Sequence, residues 1–153
     1  MTHPVPLEFA AQSNLTSGAY QELYASSLED PTAFWDRQGR RLDWMVPYTN
    51  IKETSFHEAD FGIKWYEDGV LNVTENCLDR HLDARGDKIA LLWEGDDPSE
   101  SYSYTYRELH RAVCRFANVL KAQKVRKGDR VTIYMPMIPE AAIAMLACAR
   151  IGA

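Results

Sequence analysis

Residues Lys127 to Ala153 constrain this chain more than any other stretch. Lys127-Gly-Asp-Arg-Val-Thr-Ile-Tyr-Met-Pro-Met-Ile-Pro-Glu runs into small and apolar residues that close on Ala-Arg-Ile-Gly-Ala. Gly128-Asp129 reads as a turn and Arg130 to Tyr134 as a buried strand. A Pro-bounded loop follows, and Pro139 suits the first turn of a helix. In that helix Ala141, Ala142, Ala144, Ala147, Cys148 and Ala149 are small, while Ile143, Met145 and Leu146 are large and apolar. A helix apolar all round is buried on most sides, here between a sheet and another layer. Strand then helix is the opening of a βαβ crossover, which returns to a parallel strand beside the first. The expected fold is therefore α/β, with the sequence reaching Ala153 where that second strand is due.

The 153 residues suffice for a domain with a core of its own. A net charge of −5 and a pI near 5.3 give no electrostatic basis for binding nucleic acid or an anionic membrane. The longest apolar run, Ala141 to Ala149, falls short of a bilayer span, and no secretory pattern opens the sequence. Cys77, Cys114 and Cys148 are odd in number, widely separated and placed in predicted helices. They are expected to be buried thiols in a reducing cytosol, so the expected location is cytoplasmic.

Along the chain, residues 1–18 show no sustained period and are expected to be a mobile lead-in. Tyr20, Leu23, Tyr24 and Leu28 recur at helical spacing over Ala19 to Leu28. Asp30 as N-cap, Pro31 at the first helical position and Gly39 beyond the end punctuate a second helix. Trp44 to Asp60 reads as irregular, Phe61 to Tyr66 as a short strand, and Glu67-Asp68-Gly69 as a turn. A helix opens at Asn72, with Glu75 completing a capping box and Cys77, Leu78, His81 and Leu82 on one face, and closes at Gly86-Asp87. Ile89 to Trp93 and Tyr102 to Tyr104 are expected to pair antiparallel. Thr105 and Glu108 form a second capping box, and Leu109, Val113, Phe116, Ala117 and Leu120 make the buried stripe of the helix it opens.

Four groups are candidate sites. The rings of Phe34, Trp35 and Trp44 suit packing better than a ligand box. His81 has no partner at metal-ligand spacing, and the pair His110 and Cys114 supplies only half of a structural zinc site. The acidic loop from Glu94 to Glu100 lacks the ordered pattern of a calcium loop. No glycine-rich phosphate loop and no G-x-S-x-G elbow occurs. The residues alone therefore assign no catalytic, cofactor-binding or metal residue.

Several strings, taken in order, carry a resemblance. Tyr-Gln-Glu-Leu-Tyr at 20–24, Asp-Pro-Thr-Ala-Phe-Trp at 30–35 and Ile-Lys-Trp-Tyr-Glu-Asp-Gly-Val-Leu-Asn at 63–72 resemble the N-terminal region of AMP-forming acetyl-coenzyme A synthetase. So do Asn-Cys-Leu-Asp-Arg-His-Leu at 76–82, Trp-Glu-Gly-Asp-Asp at 93–97 and Tyr-Arg-Glu-Leu-His at 106–110. Tyr-Met-Pro-Met-Ile-Pro-Glu-Ala at 134–141 and Met-Leu-Ala-Cys-Ala-Arg-Ile-Gly-Ala at 145–153 complete the set. Propionyl-coenzyme A synthetase shares the Met-Pro-Met and Ala-Arg-Ile-Gly-Ala strings, whereas the two tryptophan strings look more like the acetyl enzyme.

The resemblance implies an acetate–CoA ligase that converts acetate, ATP and coenzyme A to acetyl-CoA, AMP and pyrophosphate through an acetyl-adenylate, with magnesium on the ATP. It leaves the lead-in at 1–18 unmatched and implies an N-terminal synthetase extension at 19–84, and at 85–153 the beginning of the large, layered adenylate-forming domain. The family's phosphate loop ending Pro-Lys-Gly, its Tyr-x-x-Thr-Glu segment, its Phe-Gly-Gly stretch and its C-terminal lysine have no counterpart in these residues. No site residue is carried over, and no ATP, magnesium or coenzyme A is expected to bind this chain alone. Its partner would be the remainder of the synthetase, with no role for nucleic acid or membrane. The alternatives are a truncated, non-catalytic chain that binds a partner such as full-length synthetase, and the N-terminal part of a propionyl-coenzyme A synthetase.

Overall fold

The structure, a computed structural model, describes residues 3–153, which divide into two compact units. The first comprises the residues up to Leu42 together with Thr49–Glu67. Helix α1, Leu7–Ala11, is a short turn of helix inside the stretch expected to be a lead-in. Met1 and Thr2 lie outside the described residues. Helix α2, Ser17–Glu29, begins two residues earlier than its apolar spacing suggested, because Thr16 caps it by accepting from the Ala19 amide at 3.2 Å. Asp30 caps α3, Pro31–Gly39, by accepting from the Ala33 amide at 3.0 Å, with Pro31 in the first turn as expected. Arg37 ties α3 back to α2 through a 2.9 Å bond to Ser26 Oγ.

The same unit holds a hairpin of β1, Lys52–Ser55, and β2, Gly62–Trp65, paired antiparallel from Lys52 opposite Trp65 to Ser55 opposite Gly62. Strand β2 matches the expected strand at 61–66. Strand β1 corrects the irregular reading of 44–60: Lys-Glu-Thr-Ser carries no apolar alternation, so pairing with β2 defines it. Trp65 packs edge-on to Trp35 with ring centroids 5.5 Å apart, and the Tyr66 hydroxyl donates to the Trp35 carbonyl at 2.6 Å. The aromatic residues of this unit thus fasten hairpin to helix.

The second unit comprises Asp43–Tyr48 and Asp68–Ala153. Its core gathers Leu78, Leu109, Val113, Ala117, Leu120, Ile143, Ala147 and Cys148. Strands β3, Ile89–Glu94, and β4, Ser101–Thr105, form the expected antiparallel hairpin. Helix α6, Tyr106–Ala122, opens on the expected capping box. Thr105 Oγ1 accepts from the Glu108 amide at 3.2 Å, and Glu108 Oε2 accepts from the Thr105 amide at 2.9 Å. Leu109, Val113, Ala117 and Leu120 are buried and Phe116 is half-buried, the stripe its spacing required.

The helix expected from Asn72 to Gly86 is instead three pieces: α4, Val73–Cys77; a 3-10 turn, Asp79–His81; and α5, Leu82–Arg85. Asn72 does cap it, but through the Thr74 amide at 2.9 Å rather than through a capping box with Glu75. The break puts Leu78 in the core and leaves Cys77 exposed, so the shared face expected for these residues is split. Of the three thiols expected to be buried, Cys148 is buried, Cys114 half-buried and Cys77 exposed.

Helix α7, Pro139–Ile151, packs Ile143, Ala144, Ala147 and Cys148 inward, while Met145 is 59% exposed. Over 141–150 every other residue is buried or half-buried, so the helix is covered on most sides, as expected, with Met145 the exception. Its C-terminus closes in the left-handed turn that favours glycine: Gly152 has φ +78°, with Gly152 N–H to Ala149 O at 3.2 Å and Ala153 N–H to Cys148 O at 3.0 Å. Asn72 adds its side-chain amide to the carbonyls of Ala149 and Arg150 at 3.1 and 3.2 Å. The strand expected at 130–134 is absent as a ladder, since no described residue pairs with it.

Candidate functional site

A polar cluster inside the second unit joins the 3-10 turn, α6 and α7. His110 Nε2 lies 3.1 Å from Asp79 Oδ1, 3.5 Å from Cys114 Sγ and 3.4 Å from Arg150 Nη2. Arg150 Nη1 donates to Asp79 Oδ1 at 3.0 Å, and the Asp79, His110 and Arg150 side chains are each about a quarter exposed. The Arg150 guanidinium is held even more firmly protonated than usual, chiefly by its hydrogen bond to Asp79, with burial opposing.

Chemically this cluster does not activate a nucleophile. A thiol–imidazole–carboxylate relay needs the thiol on one ring nitrogen and the carboxylate on the other. Here Asp79 and Cys114 share Nε2, and Arg150 occupies the same carboxylate oxygen. Nor, among the described residues, does any group of three His, Cys, Asp or Glu side chains converge as a metal site. The spacing of His110 and Cys114 was legible in the sequence. Asp79 and Arg150 were missed because folding brings them in from distant elements.

The other candidates resolve into structural roles. His81 is half-buried and edge-on to Tyr106, 5.3 Å between centroids. Trp44 packs on Tyr48, and a Cβ built at Gly69 would meet the Trp44 ring at 2.5 Å, so glycine there permits the close approach. In the acidic loop Asp97 accepts from the Ser99 amide and hydroxyl at 2.8 and 2.7 Å, which holds its carboxyl below the usual range. Beside that loop the Trp93 indole donates to the Met137 carbonyl at 2.7 Å and pins the Met-Pro-Met segment to the hairpin.

Among the described residues, the starts of α2, α3, α6 and α7 offer no open cradle for phosphate. Phosphate is held by free backbone amides at a helix N-terminus or by cationic side chains. Thr16, Asp30 and Glu108 occupy the starts of α2, α3 and α6 with the protein's own oxygens. The start of α7 carries Pro139, which lacks an amide proton, and Glu140, which repels anions.

Residues 20–77 match the acetyl-coenzyme A synthetase N-terminus family and residues 78–153 the AMP-binding enzyme family. An acetyl-coenzyme A synthetase of Novosphingobium aromaticivorans is 60% identical over 99% of this chain, and one of Parvibaculum lavamentivorans 61% over 98%. The chain spans 23% of the length of each of these curated relatives. The solved acetoacetyl-CoA synthetase from Streptomyces lividans superposes with a TM-score of 0.77 at 32% identity, over 94% of this chain and 22% of that one. The α/β fold, the two abutting family matches and the agreement with these relatives lead to one statement: the chain belongs to the AMP-forming acetyl-coenzyme A synthetase family and corresponds to its N-terminal region.

Proposed function

We propose that the chain is the structural N-terminal portion of an acetate–CoA ligase. The complete enzyme would join acetate to the α-phosphorus of magnesium-bound ATP with release of pyrophosphate. The coenzyme A thiol would then displace AMP from the acetyl-adenylate. This portion would buttress the adenylating domain and supply none of the reacting groups. Residues 1–18 serve as lead-in, 19–84 as the synthetase extension and 85–153 as the start of the adenylate-forming domain. Acetate, ATP and coenzyme A are the small-molecule partners of the complete enzyme, and its compartment is the cytoplasm.

One observation carries this reading: identity of 60% to an acetyl-coenzyme A synthetase runs through 99% of the chain. The occupied or blocked helix N-termini support the structural role. The test is a chimera in which this chain replaces the matching N-terminal region of a full-length relative. Acetate-dependent ATP–pyrophosphate exchange near the relative's own rate is expected. A folded chimera without exchange would contradict the proposal.

A further inference from the structure

Charge is unevenly shared along this chain. Residues 107–130 hold eight of the 17 lysines and arginines and two of the 22 aspartates and glutamates, a net charge of +6. The rest of the chain therefore carries −11. Arg107, Arg111 and Arg115 recur every four residues on the solvent face of α6, about 6 Å apart along its axis, with Lys121 at the edge. Lys124, Arg126, Lys127 and Arg130 carry the basic surface on past the helix, and all eight residues are exposed. Among the described residues, Arg107 alone of the eight has an ion pair, with Asp87 at 3.3 Å. By contrast Arg40, Lys64, Arg80 and Arg150 are each paired with a carboxylate.

The complementary surface belongs to the same unit. The loop of the β3–β4 hairpin carries Glu94, Asp96, Asp97 and Glu100, all exposed and none in an ion pair among the described residues. Leu91 and Tyr104 pack against the core, so Leu92 and Glu94, which alternate with Leu91 along β3, face the other way. The solvent face of α6 likewise points away from that core. The two patches therefore leave each other's charge unneutralised within one chain. Each has an exposed apolar residue at its margin, Leu92 at 68% and Val119 at 53%.

We infer that the basic face of α6 is a docking surface for the acidic β3–β4 loop of a second copy of this chain. Carboxylates of that loop meet Arg111, Arg115 and the cations that follow, and Leu92 and Val119 add apolar contact at the margin. Charge complementarity between two surfaces of one folded unit selects this occupant. Nucleic acid fits less well, because the face offers no aromatic ring on which a base stacks. Copies with a net charge of −5 repel at long range. A Debye length of about 10 Å at 0.1 M salt confines that repulsion and leaves the charges in contact effective. Exposed ion pairs are individually weak, so the association depends on concentration and on salt. The inference stands apart from the proposed ligase role.

Sedimentation velocity of the purified, nuclease-treated chain tests this. At low salt the sedimentation coefficient should rise with protein concentration, and at about 1 M salt, where the Debye length is about 3 Å, it should return to the monomer value. One variant combines Arg111→Glu with Arg115→Glu, and a second combines Glu94→Lys with Asp96→Lys. All four positions are exposed, so each variant should keep the parent circular dichroism spectrum. Each alone should stay monomeric at low salt, and an equimolar mixture of the two should associate, because each supplies the surface that complements the other. A parent chain that is monomeric at every concentration would overturn the inference, as would association that persists at about 1 M salt. So would a mixture of the two variants that stays monomeric. Association seen only before nuclease treatment would assign the basic face to nucleic acid and overturn the choice of occupant.

Discussion

Thr74 Oγ1 donates a 2.8 Å hydrogen bond to the carbonyl of Leu146, and Thr74 is fully buried. This bond fastens α4 to the middle of α7 across residues far apart in the chain. Thr74→Val keeps the volume and removes the hydroxyl. It should cost about 1 kcal/mol, the net value of a typical buried hydrogen bond. Thr74→Ser should cost less, and urea unfolding of the pair checks the order.

The α6 capping box gives a pH dependence with a defined sign. Bonds from the Thr105 amide and then its hydroxyl hold the Glu108 carboxyl below its ordinary value of 4.5. A group lowered in the folded state contributes stability above its unfolded value and loses it as pH falls through the folded one. Thr105→Ala should destabilise by about 1 kcal/mol at pH 7. Glu108→Gln should flatten the fall in urea midpoint below the ordinary glutamate range. Asp97 titrates in the same direction through Ser99, so the flattening will be partial.

One oxygen of Asp79 serves two partners, lying 3.0 Å from Arg150 Nη1 and 3.1 Å from His110 Nε2. Asp79→Asn should destabilise by about 1–2 kcal/mol, below a fully buried charged pair because all three side chains reach solvent. In a double-mutant cycle with Arg150→Ala, the two losses should add to more than the loss in the double variant. Strict additivity would contradict a shared cluster.

Gly152 holds a φ of +78°, and a Cβ there would sit 3.0 Å from Lys127 Cγ. The lysine is flexible and can give way, so the backbone sets the cost. Gly152→Ala should cost about 1–2 kcal/mol, and Gly152→Asn less, because asparagine tolerates the left-handed region. Thermal unfolding of both variants checks this.

The β3–β4 hairpin and α6 were legible because their signals are local. Thr105 and Glu108 mark the start of α6, Leu109, Val113, Ala117 and Leu120 mark its inner face, and the acidic turn marks the hairpin. Strand β1 was not legible, because Lys52-Glu53-Thr54-Ser55 gains its conformation from β2 and not from its own pattern. The break after Cys77 was hidden for a similar reason: Thr74 and Asn72 answer to carbonyls of α7 as well as to their own helix. Residues 130–134 show the opposite case. Their sequence reads as a strand, but a ladder also needs a neighbour. For the polar cluster, only His110 and Cys114 share a helix, so the sequence displayed two of its four members.

The most direct test of the account is acetate-dependent ATP–pyrophosphate exchange by the purified 153-residue chain. Exchange at the level of a no-protein control is predicted, because the starts of α2, α3, α6 and α7 leave no open phosphate cradle among the described residues. Acetate-dependent exchange by the pure chain would contradict the claim that the chemistry resides outside it.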